Sequence, residues 1–286
     1  MVKNLTIDPK GMIKVMLMSK NQRKKVPMET SAHVWDKRVP IANSELHHLH
    51  SAATGRDFEI KVRLPENYYG SAARYPVLYM VDGDFMFAMA TDIVQYLIYG
   101  GNVPDLIVVS PAYGSKNPPR LGGTNMRDVD LMPFPREDNG NKPGGPAFLT
   151  FLERELIPFA EQTFRIDPAN RTFFGGGAVG GFIVLAALFH NPRLFNNYIS
   201  VEGFVEDVLE LEEAYSRKHR ALPARLLLLD DNESFAPLIA RLNSRNYDRL
   251  TLAYERMTVP VIFAEPGEAV TKALLWAFAQ TERAAG

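Results

Sequence analysis

The chain of 286 residues contains no cysteine. Disulfides, thiolate-bound zinc, iron–sulfur clusters and a thiol nucleophile are therefore excluded. Neither sign of charge is in excess: 32 Lys and Arg face 33 Asp and Glu, so electrostatics give no ground for nucleic acid as the main partner. Long hydrophobic runs are also missing. No stretch approaches the ~18–20 residues of a membrane span. The one apolar stretch near the N-terminus, Gly11 to Met18, is broken by Lys14, unlike the uninterrupted ~7–15-residue core of a secretion signal. These absences lead to the expectation of a cytoplasmic protein with no membrane partner. What is present, 46% hydrophobic and 23% charged residues, is ordinary for a folded globular chain.

Residues 1–44 differ from the rest. Lys10, Lys14, Lys20, Arg23, Lys24 and Lys25 make them basic, and apolar periodicity is weak. They are expected to form an N-terminal extension that packs over the body or reaches a second copy in a homodimer. Residues 45–286 are expected to form one domain. It opens with an antiparallel hairpin, Glu45 to Ser51 and Asp57 to Leu64, around the turn signal Thr54-Gly55-Arg56. Continuously apolar runs follow at Pro76 to Val81, Leu106 to Val109, Leu226 to Leu229 and Val259 to Phe263, as in strands buried on both faces. Helical patterns alternate with them: Phe85 to Tyr99, Ala147 to Phe164, Gly181 to His190, Val205 to His219, Ser234 to Leu242 and Glu268 to Arg283. That alternation predicts an α/β fold with a mostly parallel sheet and helices on both faces. The Gly-, Pro- and Asn-rich stretch from Ala112 to Gly145 is too long for a plain connection and predicts a lid or a site wall.

The densest signal is a glycine cluster. Arg171-Thr172-Phe173-Phe174 reads as a strand and runs into Gly175-Gly176-Gly177-Ala178-Val179-Gly180-Gly181, then into an apolar helix. Two readings fit. One is a nucleophile elbow, Gly-x-Ser-x-Gly, with Ala178 where the serine belongs. The other is a dinucleotide loop, G-x-G-x-x-G, with Glu202 placed 22 residues after Gly180 as a ribose-binding acid.

The surrounding residues favour the first. Leu64-Pro65-Glu66-Asn67-Tyr68, Tyr75 to Gly83, Arg127 with Asp130-Leu131-Met132-Pro133, Gly144-Gly145 with Phe148 and Glu155-Leu156-Ile157-Pro158, and Asn191 to Phe195 run in order along the chain. Together they resemble the esterase family of α/β-hydrolases that takes in enterobactin-type siderophore esterases, feruloyl esterase modules and S-formylglutathione hydrolases. The resemblance implies an α/β-hydrolase fold and an oxyanion hole from the backbone of Val179 and of Asp82 or Gly83. It also implies an acid at Asp230 or Glu233 and a structural role for Arg127 and Asp130; these two are expected to form an ion pair that shapes a pocket also lined by Phe85 and Met86. By the same resemblance the nucleophile position is Ala178 and the histidine position is Gly267, and no histidine follows His219. A Ser-His-acid relay needs both missing groups.

Three functions remain open at this stage. The first is a non-hydrolytic enzyme of lyase, isomerase, hydratase or cyclase type, using the oxyanion hole and a carboxylate such as Glu202 on an apolar small molecule. The second is a ligand-binding pseudo-esterase. The third is an esterase disabled at Ala178. No cofactor and no metal are expected. His47, His48 and His50 lie on the first hairpin strand and read as surface histidines. His33 and Trp35 read as packing residues of the extension, and His190 and His219 as cations at helix C-termini.

Overall fold

A computed structural model describes residues 4–7, 13–16, 40–113, 126–133, 144–258 and 266–278. The chain divides into two compact units at Pro40/Ile41. In the first, β1 (Asn4–Ile7) and β2 (Ile13–Met16) pair antiparallel, from Asn4 with Met16 to Ile7 with Ile13. His33 and Trp35 lie outside the described residues.

The second unit is built on an eight-stranded sheet. Its strands are β3 (Ser44–Ser51), β4 (Arg56–Arg63), β5 (Tyr75–Met80), β6 (Ile107–Ala112), β7 (Ile166–Gly175), β8 (Asn197–Val201), β9 (Ala221–Asp230) and β10 (Asp248–Arg256). Across the sheet the order is β10-β9-β8-β7-β5-β6-β4-β3. The β3–β4 and β4–β6 pairs are antiparallel and all others parallel. The expected opening hairpin and parallel body are both present. The four apolar leucines of β9 show why: Leu226 and Leu228 pack into one core and Leu227 and Leu229 into the other. A strand covered on both faces needs no polar alternation.

Among the described residues, α1 (Phe87–Tyr99) and α8 (Pro266–Phe278) cover one face. On the other lie α3 (Gly145–Phe151), α4 (Ile157–Thr163), α5 (Val179–His190), α6 (Val205–Ser216) and α7 (Ala236–Arg245). The helix expected over Ala147 to Phe164 is interrupted by a π-helical turn, Leu152–Leu156, before α4. Pro158 follows it, and its missing N–H and bulky ring disfavour a regular α-helical ladder at this point.

β7 is longer than its apolar residues suggest. It begins at Ile166, with Pro168 and Asn170 in an irregularity between the pairs Tyr75–Ile166 and Val77–Arg171. β10 is an addition to the expected elements. Its Leu250, Leu252 and Tyr254 alternate with Thr251, Ala253 and Glu255 and are half-buried, as at a sheet edge. The strand expected over Val259 to Phe263 lies outside the described residues. Of the lid expected over Ala112–Gly145, the described part contains α2 (Met126–Asp130). No helix among the described residues is long and apolar enough to cross a membrane.

Candidate functional site

Four adjacent parallel strands, β5, β7, β8 and β9, are each followed at their C-terminal end by a non-glycine residue with positive φ. These are Asp82 (65°), Ala178 (59°), Glu202 (58°) and Glu233 (62°). Each such residue stores of order 1 kcal/mol or more of strain, and such strain gathers at functional sites. In an open α/β sheet this edge is where ligands bind.

Ala178 is the apex of the turn between β7 and α5. It has φ 59° and ψ −79°, and its carbonyl accepts the first helical hydrogen bond, from the Phe182 N–H at 2.9 Å. The glycines around it have a steric cause. A β-carbon on Gly175 would stand 2.1 Å from the Gly180 carbonyl oxygen, and one on Gly181 would stand 1.9 Å from that of Glu202. Strand, turn and helix meet backbone to backbone, which holds residue 178 forward at the top of the sheet. Val179 is the first residue of α5, so its N–H has no acceptor inside the helix and lies at the positive end of the helix dipole.

Of the two residues expected to supply the other oxyanion donor, Gly83 has its amide engaged. The Gly83 N–H donates to the Pro111 carbonyl at 3.1 Å, and its own carbonyl accepts from Lys61 Nζ at 3.0 Å. A backbone fastened to β4 and β6 in this way keeps Gly83 as part of the frame. The Asp82 carbonyl accepts from the Phe85 and Met86 N–H groups, both at 2.9 Å. Phe85 is half exposed beside this turn, whereas Met86 packs on the core shared by α1 and α8.

The expected Arg127–Asp130 ion pair is corrected. The two side chains leave α2 toward different elements. Arg127 grips Asp82 with two bonds, Nε to Oδ1 at 2.5 Å and Nη2 to Oδ2 at 2.8 Å. Its Nη2 also reaches the carbonyls of Gly176 and Gly177, at 3.3 and 3.5 Å. Asp130 is buried and accepts from Arg56 of β4. Burial pushes its carboxyl up to about 6 against the pull of Arg56. A five-residue helix places residues 127 and 130 about one turn apart, but each charge is spent on its nearest opposite partner in the body.

Glu202 follows β8 at the elbow. Burial raises its carboxyl above the ordinary glutamate value, and Asp231 and Asp230 add to the rise. A hydrogen bond from the Ala178 backbone N–H opposes it. The candidate acids after β9 have different fates. Asp230 is fully buried and accepts four hydrogen bonds: Glu233 N–H (3.1 Å) and Tyr254 hydroxyl (2.8 Å) on Oδ1, Ser234 hydroxyl (2.9 Å) and Phe235 N–H (3.0 Å) on Oδ2. Glu233 is exposed and lies 3.3 Å from Arg256. Gly267 is the second residue of α8. A β-carbon there would meet nothing nearer than Ile93 Cδ1, at 3.9 Å.

The described histidines other than His48 are engaged elsewhere in the fold. His47 sits between the rings of Phe159 and Phe164 and 2.8 Å from Glu45. His48 is exposed, and His50 contacts Asp57 at 2.7 Å. His190 ends α5, 3.4 Å from Glu153, and His219 stacks on Tyr215 at 4.4 Å. Among the described residues no group of three or more His, Asp or Glu is placed to hold a metal ion. The Arg127–Asp82 contact has no signal in the sequence, because 45 residues separate the partners and no local spacing marks it.

A glycine-tight strand–turn–helix with a left-handed apex, set at the C-terminal edge of a mixed sheet opened by an antiparallel hairpin, defines an α/β-hydrolase with its nucleophile elbow. Residues 51–277 match the model of the Esterase family ("Putative esterase"), and the chain belongs to that family. It is 27% identical over 172 residues to the ferri-bacillibactin esterase BesA of Bacillus subtilis, covering 56% of this chain and 58% of that protein. It is 29% identical over 171 residues to the siderophore triacetylfusarinine C esterase of Aspergillus fumigatus, covering 57% and 56%. The chain thus spans little more than half the length of these curated relatives. Among solved structures, the BES protein from Bacillus cereus superimposes with a TM-score of 0.69 at 24% identity, covering 85% of this chain and 99% of that one. The siderophore hydrolase EstB from Aspergillus nidulans does so with 0.71 at 18% identity, covering 85% and 97%. These likenesses show the fold.

Proposed function

We propose that this chain is a non-hydrolytic enzyme on the esterase fold, of lyase, isomerase, hydratase or cyclase type, acting on a small and largely apolar carbonyl compound. One observation carries the reading: the elbow keeps its strained apex at residue 178, where alanine offers no nucleophile, and Glu202, itself a positive-φ residue, follows the neighbouring strand β8. Acyl-enzyme hydrolysis needs an activated hydroxyl, and none stands at this apex. The reading uses one backbone donor and one carboxylate. The Val179 N–H stabilises negative charge developing on a carbonyl oxygen. Glu202, raised above the ordinary carboxylate range, is a better base near neutrality than a free glutamate. It takes a proton from the carbon next to the carbonyl, the electron pair moves onto oxygen as an enolate, and the proton returns to carbon or a β-substituent leaves.

The experiment follows α-protons of a β-keto ester, ethyl acetoacetate, by NMR in deuterated water. Exchange above the buffer rate, lost in Glu202→Gln, supports the reading. Equal exchange in both proteins overturns it. Hydrolysis of p-nitrophenyl acetate or butyrate is expected to show no burst and negligible turnover.

The full internal use of Asp230 favours a second reading, a pseudo-esterase that binds its ligand without turning it over. The siderophore esterases among its relatives suggest the probe. Binding of ferri-bacillibactin without hydrolysis, together with no α-proton exchange, decides for this reading. NAD(H) and NADP(H) are not expected to bind, because the glycine turn is filled by its own strand–helix contact.

A further inference from the structure

We infer that Arg127 is the positioning residue of the elbow, and that Arg56 aims it there through Asp130, so a remote ion pair sets the geometry at residue 178. This rests on the reading that the elbow is the working site. Three observations converge on α2. First, the Arg127 fork ties the Asp82 carboxylate to the carbonyls of Gly176 and Gly177, the two residues that precede the apex. The same carboxylate lies against the first turn of α5, since a β-carbon on Gly180 would be 3.4 Å from Asp82 Oδ2. One guanidinium therefore joins the turn after β5 to the turn after β7, and both joined turns contain a positive-φ residue. Second, α2 has only five residues and cannot hold its own position by helical hydrogen bonding. Third, its far end is fixed to the body. The buried Asp130 accepts from Arg56, and the Val129 carbonyl accepts from the Gly144 N–H at 2.8 Å. Arg56 itself sits at the first residue of β4. The path from Arg56 to the apex is thus ion pair, short helix, ion pair, backbone carbonyl.

Lysine cannot reproduce this arrangement, because a point charge does not bind two carboxylate oxygens and two carbonyls at fixed angles. Charge alone and positioning predict different things. If Arg127 acts only through its field, removing it raises the pKa of an acid at residue 178, and removing the Asp82 charge lowers it. If it positions the apex, both changes misplace residue 178 in the same sense.

The absence of cysteine makes the test clean. Ala178→Cys introduces a single thiol at the apex, and its alkylation by iodoacetamide is followed against pH. The midpoint reports the thiol pKa, and the high-pH plateau reports the reactivity of the thiolate already formed. In the Ala178→Cys background, Arg127→Lys and Asp82→Asn are each expected to lower the plateau about tenfold, the scale on which small misplacements act. Arg56→Gln should lower it in the same direction and by less. Circular dichroism and urea midpoints confirm that the proteins compared are folded, and Asp82→Asn, which keeps the side-chain shape, serves should an arginine variant not fold. Plateaus unchanged in Arg127→Lys and Asp82→Asn overturn the inference. So do midpoints that move in opposite directions in Arg127→Gln and Asp82→Asn, which remove the two charges, while the plateaus stay unchanged. Alkylation requires no turnover, so this outcome is independent of whether Glu202 exchanges protons.

Discussion

The β7–α5 and β9–α7 turns are built on opposite plans. Both join a central strand to a helix at the same sheet edge, and both contain a positive-φ residue, Ala178 in one and Glu233 in the other. The β9–α7 turn satisfies itself. Asp230 takes four hydrogen bonds, two of them from backbone N–H groups of residues 233 and 235, and the strained residue projects to solvent. The β7–α5 turn is held by close backbone contact at Gly175 and Gly181 and by the grip of Arg127 on neighbouring carbonyls. A turn whose carboxylate is fully occupied from within has nothing left to offer a ligand. A turn with no carboxylate of its own to cap the helix presents its first helical amide instead. The contrast supports the proposal that puts Asp230 in the frame and residues 178–179 at the site.

The largest effect that would break this contrast lies at Asp230. Asp230→Ala leaves its four donors without their acceptor inside the protein. The expected loss is about 3–5 kcal/mol, the cost of unpairing a buried charged network, measured by urea denaturation. A loss near zero would remove Asp230 from the structural role and reopen it as a catalytic acid.

Second in size is a pH effect on the helix that carries Arg127. Burial holds the Asp130 carboxyl at about 6, whereas an aspartate in the unfolded chain titrates near ~3.9. The folded protein therefore binds this proton more tightly than the unfolded chain. The stability it contributes is fully present below about pH 4 and is lost as pH rises through 6. Relative to Asp130→Asn, the unaltered protein should lose about 2–3 kcal/mol across that window, because each pH unit between the two titration points is worth about 1.4 kcal/mol. Parallel stability curves for the two proteins between pH 4 and 6.5 would show that Arg56 fully offsets the burial.

How much of this can be read from the residues varies along the chain. The hairpin and the two-sided strands are legible because alternation and continuous apolar runs reflect one-sided and two-sided burial directly, as in Phe58, Ile60 and Val62 against Leu226 to Leu229. The elbow is legible because backbone contacts leave room only for glycine at 175 and 181. β10 is hidden because an edge strand is half wet and its alternation is blurred by Arg249 and Arg256. The partners of Arg127 and Asp130 are hidden because ion pairing across the fold leaves no periodicity, and the nearest opposite charge in sequence is not the nearest in space. The use of the Gly83 amide in the sheet frame is likewise invisible, since a Gly in a turn looks the same whether its N–H faces a ligand or a neighbouring strand.

A smaller effect sharpens the same comparison. Ala178→Gly and Glu233→Gly each relieve a positive-φ conformation, and each should gain about 0.5–1 kcal/mol by thermal or urea unfolding. The Glu233–Arg256 pair is exposed and should subtract little. A gain at 233 but not at 178 would mean that the elbow geometry is imposed by its surroundings so firmly that glycine gives no relief there.

The smallest expected effect is none at all. Ala178→Ser places a hydroxyl at the apex, in the conformation an elbow nucleophile needs, yet p-nitrophenyl acetate hydrolysis should stay at the background rate. A serine hydroxyl is a weak nucleophile until a neighbouring base takes its proton. No histidine occurs after His219 in the sequence, and His47, His190 and His219 are engaged elsewhere, with Glu45, Glu153 and Tyr215. Glu202 is the carboxylate proposed as the base here, but even a raised carboxyl is far too acidic to deprotonate an alcohol efficiently. Asp230 is committed to its own turn. The resemblance that places the missing histidine at Gly267 offers the complementary variant, and the space around that position, with Ile93 the nearest neighbour, accepts a side chain. Ala178→Ser combined with Gly267→His should therefore gain weak, pH-dependent hydrolysis of the activated ester that neither change gives alone. If Ala178→Ser by itself is a competent esterase, a base already faces the apex, and the chain is a hydrolase disabled at one residue and not one turned to other chemistry.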